Sequence, residues 1–187
     1  MRALAIIQEH QAVINQLSDL LPEISQFSGL CRQALSRGRT IFFCGNGGSA
    51  ADCQHLAAEL VGRFQKERRG LPGIALTTDT SILTAVGNDY GFDQVFARQI
   101  EALAREGDVV VGLSTSGNSP NVVKAITAAR GLGAVTVGMT GETGGQLDTS
   151  CDVCLKVPSS VTARIQEAHI LIGHILCELI DEVDYDV

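Results

Sequence analysis

The sequence predicts an α/β fold: a doubly wound, five-stranded parallel sheet flanked by helices. From residue 40 onward, five short apolar runs rich in strand formers alternate with helix-like segments. The runs lack the polar–apolar alternation of half-exposed strands, as expected for parallel strands that are covered on both faces. Repetition of strand and helix in this manner indicates right-handed crossover connections and a layered sandwich. Ligands of such folds bind at the carboxyl ends of the strands.

The predicted strands cover residues 40–45, 73–78, 108–114, 134–140 and 153–157. Helices are predicted between them at 49–65, 79–87, 93–105, 119–131 and 145–149, and a last helix at 162–183. Two more helices precede the first strand, at 3–20 and 24–38, with Pro22 between them. We therefore expect residues 1–187 to form a single domain in which residues 1–38 are a helical arm used in oligomer packing.

Composition excludes several functional classes. The chain of 187 residues is 45% apolar and has a net charge of −7, which argues against nucleic acid as a partner. The basic cluster Lys66–Arg69 is interpreted as a solvated helix end. No run approaches the roughly 18 apolar residues of a membrane span, and the N-terminus does not resemble a signal peptide. We expect a cytoplasmic protein with no membrane partner.

The six cysteines are expected to be reduced thiols, most of them buried. Cys151 and Cys154 form a C-x-x-C pair inside a strand-like run, a context in which neither a zinc site nor a redox motif is expected.

A glycine-rich loop follows the first predicted strand and opens a helix. It reads Gly45-Asn46-Gly47-Gly48-Ser49, and its glycines permit positive φ and close approach of a ligand to the backbone. Free amides at the start of the helix favour an anion or polar ligand oxygens. The spacing nominally fits a dinucleotide fingerprint, but the acidic residue expected about 20 positions further on is missing. We therefore expect no nucleotide cofactor.

A second polar loop follows the third predicted strand. It reads Ser114-Thr115-Ser116-Gly117-Asn118-Ser119 and precedes a helix whose first turn contains Pro120. Its hydroxyls and free amides suit a phosphate monoester, whose oxygens need many donors. An ordinary serine-rich turn with an N-cap is the alternative. Two such loops in one doubly wound domain favour a phosphosugar ligand.

Several side chains have both a structural and a functional interpretation. His55 and Glu59 are four residues apart on one helix face, where they could bind a metal, act as acid and base, or form a surface ion pair. Asn88 and Asp89 are predicted to lie in a polar loop, explained equally by a turn and by recognition of sugar hydroxyls. His174 lies in a last helix that is apolar nearly all round and therefore buried, in an oligomer core.

Four stretches of the chain carry a resemblance to a known family. They read CGNGGSAADCQHLAAEL, LTTDTSILTAVGNDYGF, GDVVVGLSTSGNSPNVVKA and ARIQEAHILIGHILCELID. With these motifs, the chain resembles the phosphoheptose isomerases of the SIS (sugar isomerase) domain superfamily over nearly its whole length. The resemblance implies a SIS domain and a homotetramer with active sites at subunit interfaces.

The resemblance also implies an activity and the residues that perform it. The activity is an aldose–ketose isomerisation of D-sedoheptulose 7-phosphate to D-glycero-D-manno-heptose 7-phosphate through a cis-enediol, in bacterial heptose and lipopolysaccharide biosynthesis. Glu59 would be the base and His174 its acid/base partner. One zinc ion per subunit would be bound by His55, Glu59, Gln166 and His174. The implied substrate-binding residues are Asn46, Gly47, Gly48, Ser49, Glu59, Arg63, Asn88, Asp89, Ser114, Thr115, Ser116, Ser119 and Gln166.

One departure and one alternative accompany the resemblance. Some family members have an aspartate just before the Ile-Gln-Glu motif, where this chain has Thr162-Ala163-Arg164. The alternative is a non-enzymatic SIS protein that binds the bacterial replication initiator; such proteins lose the histidine that corresponds to His174. Because this chain has His55, Glu59, Gln166 and His174 together, the sequence favours the isomerase. A phosphosugar-sensing module would leave that set unexplained.

Overall fold

The computed structural model describes residues 1–185, which form a five-stranded sheet with the order β2-β1-β3-β4-β5. All neighbouring strands are parallel. The predicted doubly wound fold is therefore confirmed. The strands are β1 (Ile41–Gly45), β2 (Gly73–Ala75), β3 (Val109–Leu113), β4 (Val135–Thr140) and β5 (Val153–Lys156).

Helices cover both faces of the sheet, and none of those in the described part of the chain is long and apolar enough to cross a membrane. Short 3₁₀ turns occur at Gln16–Leu20 and Phe92–Gln94. The α-helices are α1 (Arg2–Asn15), α2 (Leu21–Ser36), α3 (Gly48–Val61), α4 (Thr80–Tyr90), α5 (Ala97–Leu103), α6 (Pro120–Gly131), α7 (Gly145–Ser150) and α8 (Thr162–Asp181).

Several predicted boundaries were wrong, and two of these errors concern candidate site residues. Helix α3 ends at Val61 instead of residue 65, because Gly62 has ψ of −104° and leaves the helical region. Helix α4 continues to Tyr90, so that Asn88 and Asp89 lie in a helix and not in the predicted loop. It begins where the Asp79 side chain accepts a hydrogen bond from the backbone N–H of Ile82. It ends at Gly91, whose φ of 92° is favourable only for glycine.

Alternate residues of the central strands pack on opposite faces of the sheet. Ile41 and Phe43 of β1 contribute to a core formed with α2, α3 and α8, whereas Phe42 and Cys44 contribute to a second core against α5 and α6. Both faces of the sheet are therefore covered by apolar side chains, and all five residues of β1 and of β3 are buried. This double coverage explains why the strands appear in the sequence as unbroken apolar runs.

Helix α8 is packed against the helices on one face of the sheet. Its buried apolar residues include Ile172, Leu176 and Ile180. Helix α1 is attached to it through Arg164, whose guanidinium donates to the carbonyl oxygen of Ile6 at 3.0 Å. Arg164, a buried polar residue of α8, therefore has a partner in the same chain.

The six cysteines have free thiols, as predicted. Burial raises the pKa of Cys44 and of Cys177 to about 12, so that these thiols are protonated and unreactive near neutral pH.

His169 is a fully buried histidine of α8. Its Nε2 lies 3.1 Å from the carbonyl oxygen of Thr140, and its Nδ1 has no hydrogen-bond partner. Burial lowers the pKa of His169 from 6.5 to about 4, partly opposed by the bond to Thr140. The folded protein therefore needs a neutral imidazole at this position.

We expect the replacement His169→Gln to make the free energy of unfolding less sensitive to acid. Because the folded-state pKa of His169 is depressed, its contribution is complete above about pH 6.5 and is lost as the pH falls to about 4. A shift of this size corresponds to about 3 kcal/mol. Urea denaturation at pH 7.5 and 5.0 measures the change in the free energy of unfolding. His10→Gln, which replaces a half-exposed histidine, is the control. The expectation would be contradicted if His169→Gln lost as much free energy of unfolding between pH 7.5 and 5.0 as the wild type.

Candidate active site

The strand order brings the two predicted ligand loops together. β1 and β3 are neighbours, with Gly45 opposite Leu113 at their carboxyl ends. The chain leaves these ends in opposite directions along the sheet, since β2 lies beyond β1 and β4 lies beyond β3. Such a reversal opens a crevice between adjacent loops, where ligands of doubly wound folds bind.

A pair of asparagines joins the two loops. Asn46 Nδ2 donates to Asn121 Oδ1 at 2.9 Å, and Asn121 Nδ2 donates to Asn46 Oδ1 at 2.8 Å. Asn121, in the first turn of α6, is buried. Sequence reasoning missed it, because nothing in its local pattern distinguishes it from other helix-start residues.

The loop after β3 is folded around its own hydroxyls. Ser114 Oγ lies 2.8 Å from Ser119 Oγ and accepts a hydrogen bond from the Ser119 backbone N–H at 3.3 Å. Gly117 has φ of 67°, and a Cβ there would lie 1.9 Å from the carbonyl oxygen of Gly144. Only glycine fits this turn, which holds the serine hydroxyls at the start of α6.

Most of the predicted substrate-binding residues line one cavity of about 270 Å³ between these loops. The Gln166 side chain closes it from α8, and a Cβ on Gly48 would lie 2.7 Å from the Gln166 amide. Sequence reasoning missed Leu113 and Thr162. The full lining is Asn46, Gly47, Gly48, Ser49, Leu113, Ser114, Thr115, Ser119, Thr162 and Gln166.

Five predicted substrate residues do not line this cavity, and Glu59, one of them, belongs to the acid–base cluster described below. Ser116 lines an adjacent cavity of about 190 Å³. Arg63 lies beyond the end of α3, where it forms an exposed ion pair with Glu67 at 3.4 Å. Asn88 and Asp89 lie on the exposed surface of α4, hydrogen-bonded to each other at 2.7 Å. Within one chain, Arg63, Asn88 and Asp89 therefore do not reach the two loops.

The predicted acid–base residues form a cluster between α3 and α8. His55 Nε2 lies 2.9 Å from His174 Nε2 and 3.3 Å from Glu59 Oε1. The imidazoles meet edge to face, with ring centroids 5.1 Å apart. Glu59 is 22% exposed, so that it remains accessible to a ligand. One nitrogen, His55 Nε2, therefore lies between the Glu59 carboxylate and the His174 imidazole.

Two features of the neighbouring chain segments orient His174. The Phe64 ring stacks on its imidazole with centroids 5.7 Å apart and an interplanar angle of 24°. The preceding residue, Gly173, contacts α3, because a Cβ there would lie 2.5 Å from Leu56 Cδ2. Phe64 gave no signal in the sequence, since its proximity to His174 arises only from the fold.

Asp52 is a second unpredicted member of this region. Its Oδ2 atom is buried and has no hydrogen-bond partner. Burial raises the pKa of the Asp52 carboxyl, and His55 and His174 act in the opposite direction. The cluster therefore contains a carboxyl group with an unused acceptor beside two imidazoles.

The donor types around His55 fit a zinc ion, since imidazole and carboxylate are its usual ligands. The buried, unpartnered oxygen of Asp52 adds acceptor capacity beside them. The arrangement itself is a hydrogen-bonded one, in which Nε2 of His55 faces Nε2 of His174. Among residues 1–185, no group of three or more His, Cys, Asp or Glu side chains is arranged around a metal position.

The cavity and the histidine cluster lie along the same pair of helices, α3 and α8, and the surface between these helices is called the groove below. Gln166 lies against Gly48 at one end, and His174 meets His55 further along. Eight residues of α8 separate Gln166 from His174, which corresponds to about 12 Å along the helix axis. The groove therefore has two polar loops at one end and the acid–base side chains at the other.

The chain is similar in sequence to known proteins. The SIS domain family model matches residues 7–141. A phosphoheptose isomerase from Aliarcobacter butzleri is 56% identical over 181 residues, which are 95% of this chain and 96% of the relative. The chain belongs to the phosphoheptose isomerase family of SIS domains.

Solved structures of phosphoheptose isomerases have the same fold as this SIS domain. The protein from Neisseria gonorrhoeae superposes with a TM-score of 0.93 and 47% identity, covering 97% of this chain and 98% of that one. The protein from Francisella tularensis gives a TM-score of 0.91 and 40% identity, covering 98% and 100%. The resemblance inferred from the four sequence motifs is confirmed.

We expect Gly173→Ala to lower both the melting temperature and the activity. In an unobstructed helix, alanine would be favoured over glycine by up to about 1 kcal/mol. Here its Cβ would meet Leu56 at 2.5 Å, and separating α8 from α3 would move His174 away from His55.

Gly29→Ala is the matched control for this substitution. Gly29 lies within α2, and a Cβ at this position would have no other atom within 4 Å, so that alanine should raise the melting temperature. Thermal unfolding of both variants measures the effect. A Gly173→Ala protein that is as stable and as active as the wild type would contradict the close approach.

Proposed function

We propose that this chain is an aldose–ketose isomerase that converts D-sedoheptulose 7-phosphate to D-glycero-D-manno-heptose 7-phosphate through a cis-enediol. The family relationship supports the activity, since its relatives bear the name phosphoheptose isomerase. The observation that carries the proposal is the contact of His55, Glu59 and His174 in a groove that also contains two polar loops.

In this proposal, Glu59 moves a proton between C1 and C2 of the sugar. Its carboxylate is partly exposed in the groove, where a base has to reach a carbon-bound hydrogen. His174 moves the second proton between the two neighbouring oxygens. Positioned acid–base groups of this kind contribute about 10²- to 10⁴-fold to a rate. His55 lies between the two and holds both side chains in place.

The phosphate is proposed to bind at the loop Ser114–Ser119. Ser114, Thr115 and Ser119 line the cavity, and the backbone amides at the start of α6 add donors. Gly47 and Gly48 let a ligand approach the first loop closely. An extended seven-carbon sugar would then run along the groove from this loop toward His174.

Zinc is proposed as the bound metal, one ion per subunit, with His55, Glu59, Gln166 and His174 as its ligands. Imidazole and carboxylate donors suit zinc, although a metal requires the imidazoles to turn away from their mutual hydrogen bond. When bound, zinc supplies a Lewis acid that polarises a carbonyl oxygen. Glu59 cannot be a metal ligand and a fully effective base at once, since coordination makes a carboxylate less basic.

Assembly into a homotetramer is part of the same proposal. Leu4, Ile7 and Leu21 of the first two helices are each more than half exposed, although they are large and apolar. Covering them with a second copy would bury this surface, and residues 1–38 are proposed to do so. Arg63, Asn88 and Asp89, which one chain leaves on its surface, would then contact substrate at a subunit interface.

The cellular role proposed is the supply of heptose for bacterial lipopolysaccharide, in the cytoplasm. The aldose product retains its phosphate, so that a phosphosugar-processing enzyme must act on it next. No nucleotide cofactor, nucleic acid or membrane is part of this function.

We expect Glu59→Gln to lower kcat by at least about 100-fold while phosphosugar binding persists. The amide keeps the size of the side chain but cannot accept a carbon-bound proton. Turnover of sedoheptulose 7-phosphate in D₂O measures it, because wild-type product should contain carbon-bound deuterium. Calorimetric titration with the phosphosugar measures binding.

Glu101→Gln, at an exposed ion pair on α5, is the control and should retain wild-type kcat. Full activity in Glu59→Gln would refute the assignment of the base. Product without deuterium from an active wild-type enzyme would show that the proton on Glu59 returns to carbon before it exchanges with solvent. No turnover by the wild type would refute the proposed reaction.

We expect the wild-type protein to bind about one zinc ion per chain and His55→Ala or His174→Ala to lose it. Both variants remove an imidazole donor from the cluster. Elemental analysis after dialysis against zinc measures the stoichiometry. His10→Ala, whose imidazole pairs with Glu167 outside the cluster, should retain the metal. Equal zinc content in all four proteins would contradict the proposed ligands.

A further inference from the structure

A buried ion pair lies behind the acid–base cluster. Arg68 and Asp181 form it, with Arg68 Nε donating to Asp181 Oδ1 at 2.7 Å. Their side chains are only 8% and 6% exposed. Sequence reasoning interpreted Lys66–Arg69 as a solvated helix end, and for Arg68 that interpretation was wrong. A charged pair is rarely buried this completely without further hydrogen bonds.

Arg68 also binds the end of α3, the helix that carries the candidate base. Its Nη2 donates to the main-chain carbonyl of Glu59 at 3.0 Å, and its Nη1 donates to that of Leu60 at 2.9 Å. These carbonyls belong to the last turn of α3, where intrahelical partners are lacking. The guanidinium therefore caps the helix at Glu59 itself while it contacts the last residue of α8.

Asp181 binds the loop that connects the end of α3 to β2. Its Oδ2 accepts hydrogen bonds from the backbone N–H groups of Gln65 and Lys66, each at 2.9 Å. Burial alone would raise the pKa of Asp181, but these bonds and the Arg68 guanidinium lower it below its usual value. The Asp181 carboxylate is thus charged, and both of its oxygens accept hydrogen bonds.

The two amides that Asp181 binds follow Phe64 directly in the chain. Phe64 stacks on the His174 imidazole with an interplanar angle of 24°. His174 and Asp181 are seven residues, two helical turns, apart on α8. One carboxylate on α8 therefore fixes the loop whose aromatic ring covers a histidine on the same helix.

We propose that Arg68, Asp181 and Phe64 are positioning residues, which fix the Glu59 end of α3 and the His174 imidazole relative to each other. This proposal rests on the proposed isomerase function for its kinetic consequence. Its structural part, the orientation of His174 by the loop, stands independently of any activity.

The alternative is that the ion pair only stabilises the fold. The geometry argues for positioning, because three hydrogen bonds of the pair end on backbone groups at or next to Glu59 and Phe64. The Glu59 carbonyl belongs to the base itself, and the Gln65 amide follows the ring that contacts His174. A pair that served stability alone would not need these particular partners.

Three variants separate the elements of this arrangement. Arg68→Lys keeps the charge but lacks the planar fork that reaches Asp181 and both carbonyls together. Asp181→Asn keeps the shape and loses the charge. Phe64→Leu removes the ring without altering the ion pair. Glu182→Gln is the control, because Glu182 forms only an exposed pair with Arg32 at 4.0 Å at the same end of α8.

The kinetic measurement is made at a temperature at which each full-length variant is folded by circular dichroism. We expect Arg68→Lys, Asp181→Asn and Phe64→Leu to lower kcat about 10-fold or more, with KM changed less than about 3-fold. Glu182→Gln should match the wild type. A set of folded variants with wild-type kcat would overturn the proposal.

The second measurement does not depend on catalysis. The chain has four histidines, so that labelling with ¹³Cε1-histidine gives four ring resonances, and His174→Gln identifies one of them. In Phe64→Leu the His174 resonance should move because the stacked ring is absent. In Arg68→Lys and Asp181→Asn it should move in the same direction, since the loop no longer holds Phe64 in place.

A His174 resonance at the wild-type position in Arg68→Lys and Asp181→Asn would overturn the proposal, even if both variants lost activity. If Arg68→Lys does not fold, Asp181→Asn decides by the same criterion. A wild-type protein without turnover would refute the proposed function alone, while the resonances would still decide whether the loop orients His174.

Discussion

The contact between α3 and α8 at Gly173 is the constraint on which the candidate site depends. Leu56 occupies the space that any side chain at Gly173 would need. The residues next to these two in sequence, His55 and His174, are consequently brought to 2.9 Å. A larger residue at position 173 would separate the helices and, with them, the two imidazoles. The absence of a side chain at Gly173 therefore permits the helix contact that sets the geometry of the acid–base cluster.

The sheet and the helices contribute different parts of the site. The carboxyl ends of β1 and β3 place the two polar loops side by side, and the Asn46–Asn121 pair joins them. The cluster depends instead on helix packing, since His55, Glu59 and His174 lie about two to three turns after the starts of α3 and α8. The strand order therefore positions the two polar loops, and the packing of α3 against α8 positions the acid–base side chains.

The sequence was sufficient to predict the fold class, the five strands and both loops. Apolar runs and glycine or hydroxyl clusters are local signals, and buried parallel strands produce them directly. The spacing of His55 and Glu59 was informative because one helix carries both. The role of His174 came from the family resemblance, since its partner is 119 residues away.

What could not be predicted consists of contacts between distant segments. Phe64 appeared to be an ordinary residue in a loop, and Asp52 an ordinary polar residue in a helix. Arg68 appeared in a solvated basic cluster, although its guanidinium is buried against Asp181, 113 residues further along the chain. The α4 boundary failed for a local reason, because Asn88 and Asp89 are typical of turns and here are held in the last turn of a helix.

The interval between Gln166 and His174 has a consequence for substrate size. Both residues are attached to one helix, so that their backbone positions are held about 12 Å apart along its axis. For a phosphosugar bound along the groove, this spacing on α8 would fix the distance between the bound phosphate and the acid–base cluster. A shorter carbon chain with its phosphate at the Ser114–Ser119 loop would place its carbonyl short of the acid–base cluster. Selection by length would thus be built into the backbone, independently of any contact with an individual hydroxyl.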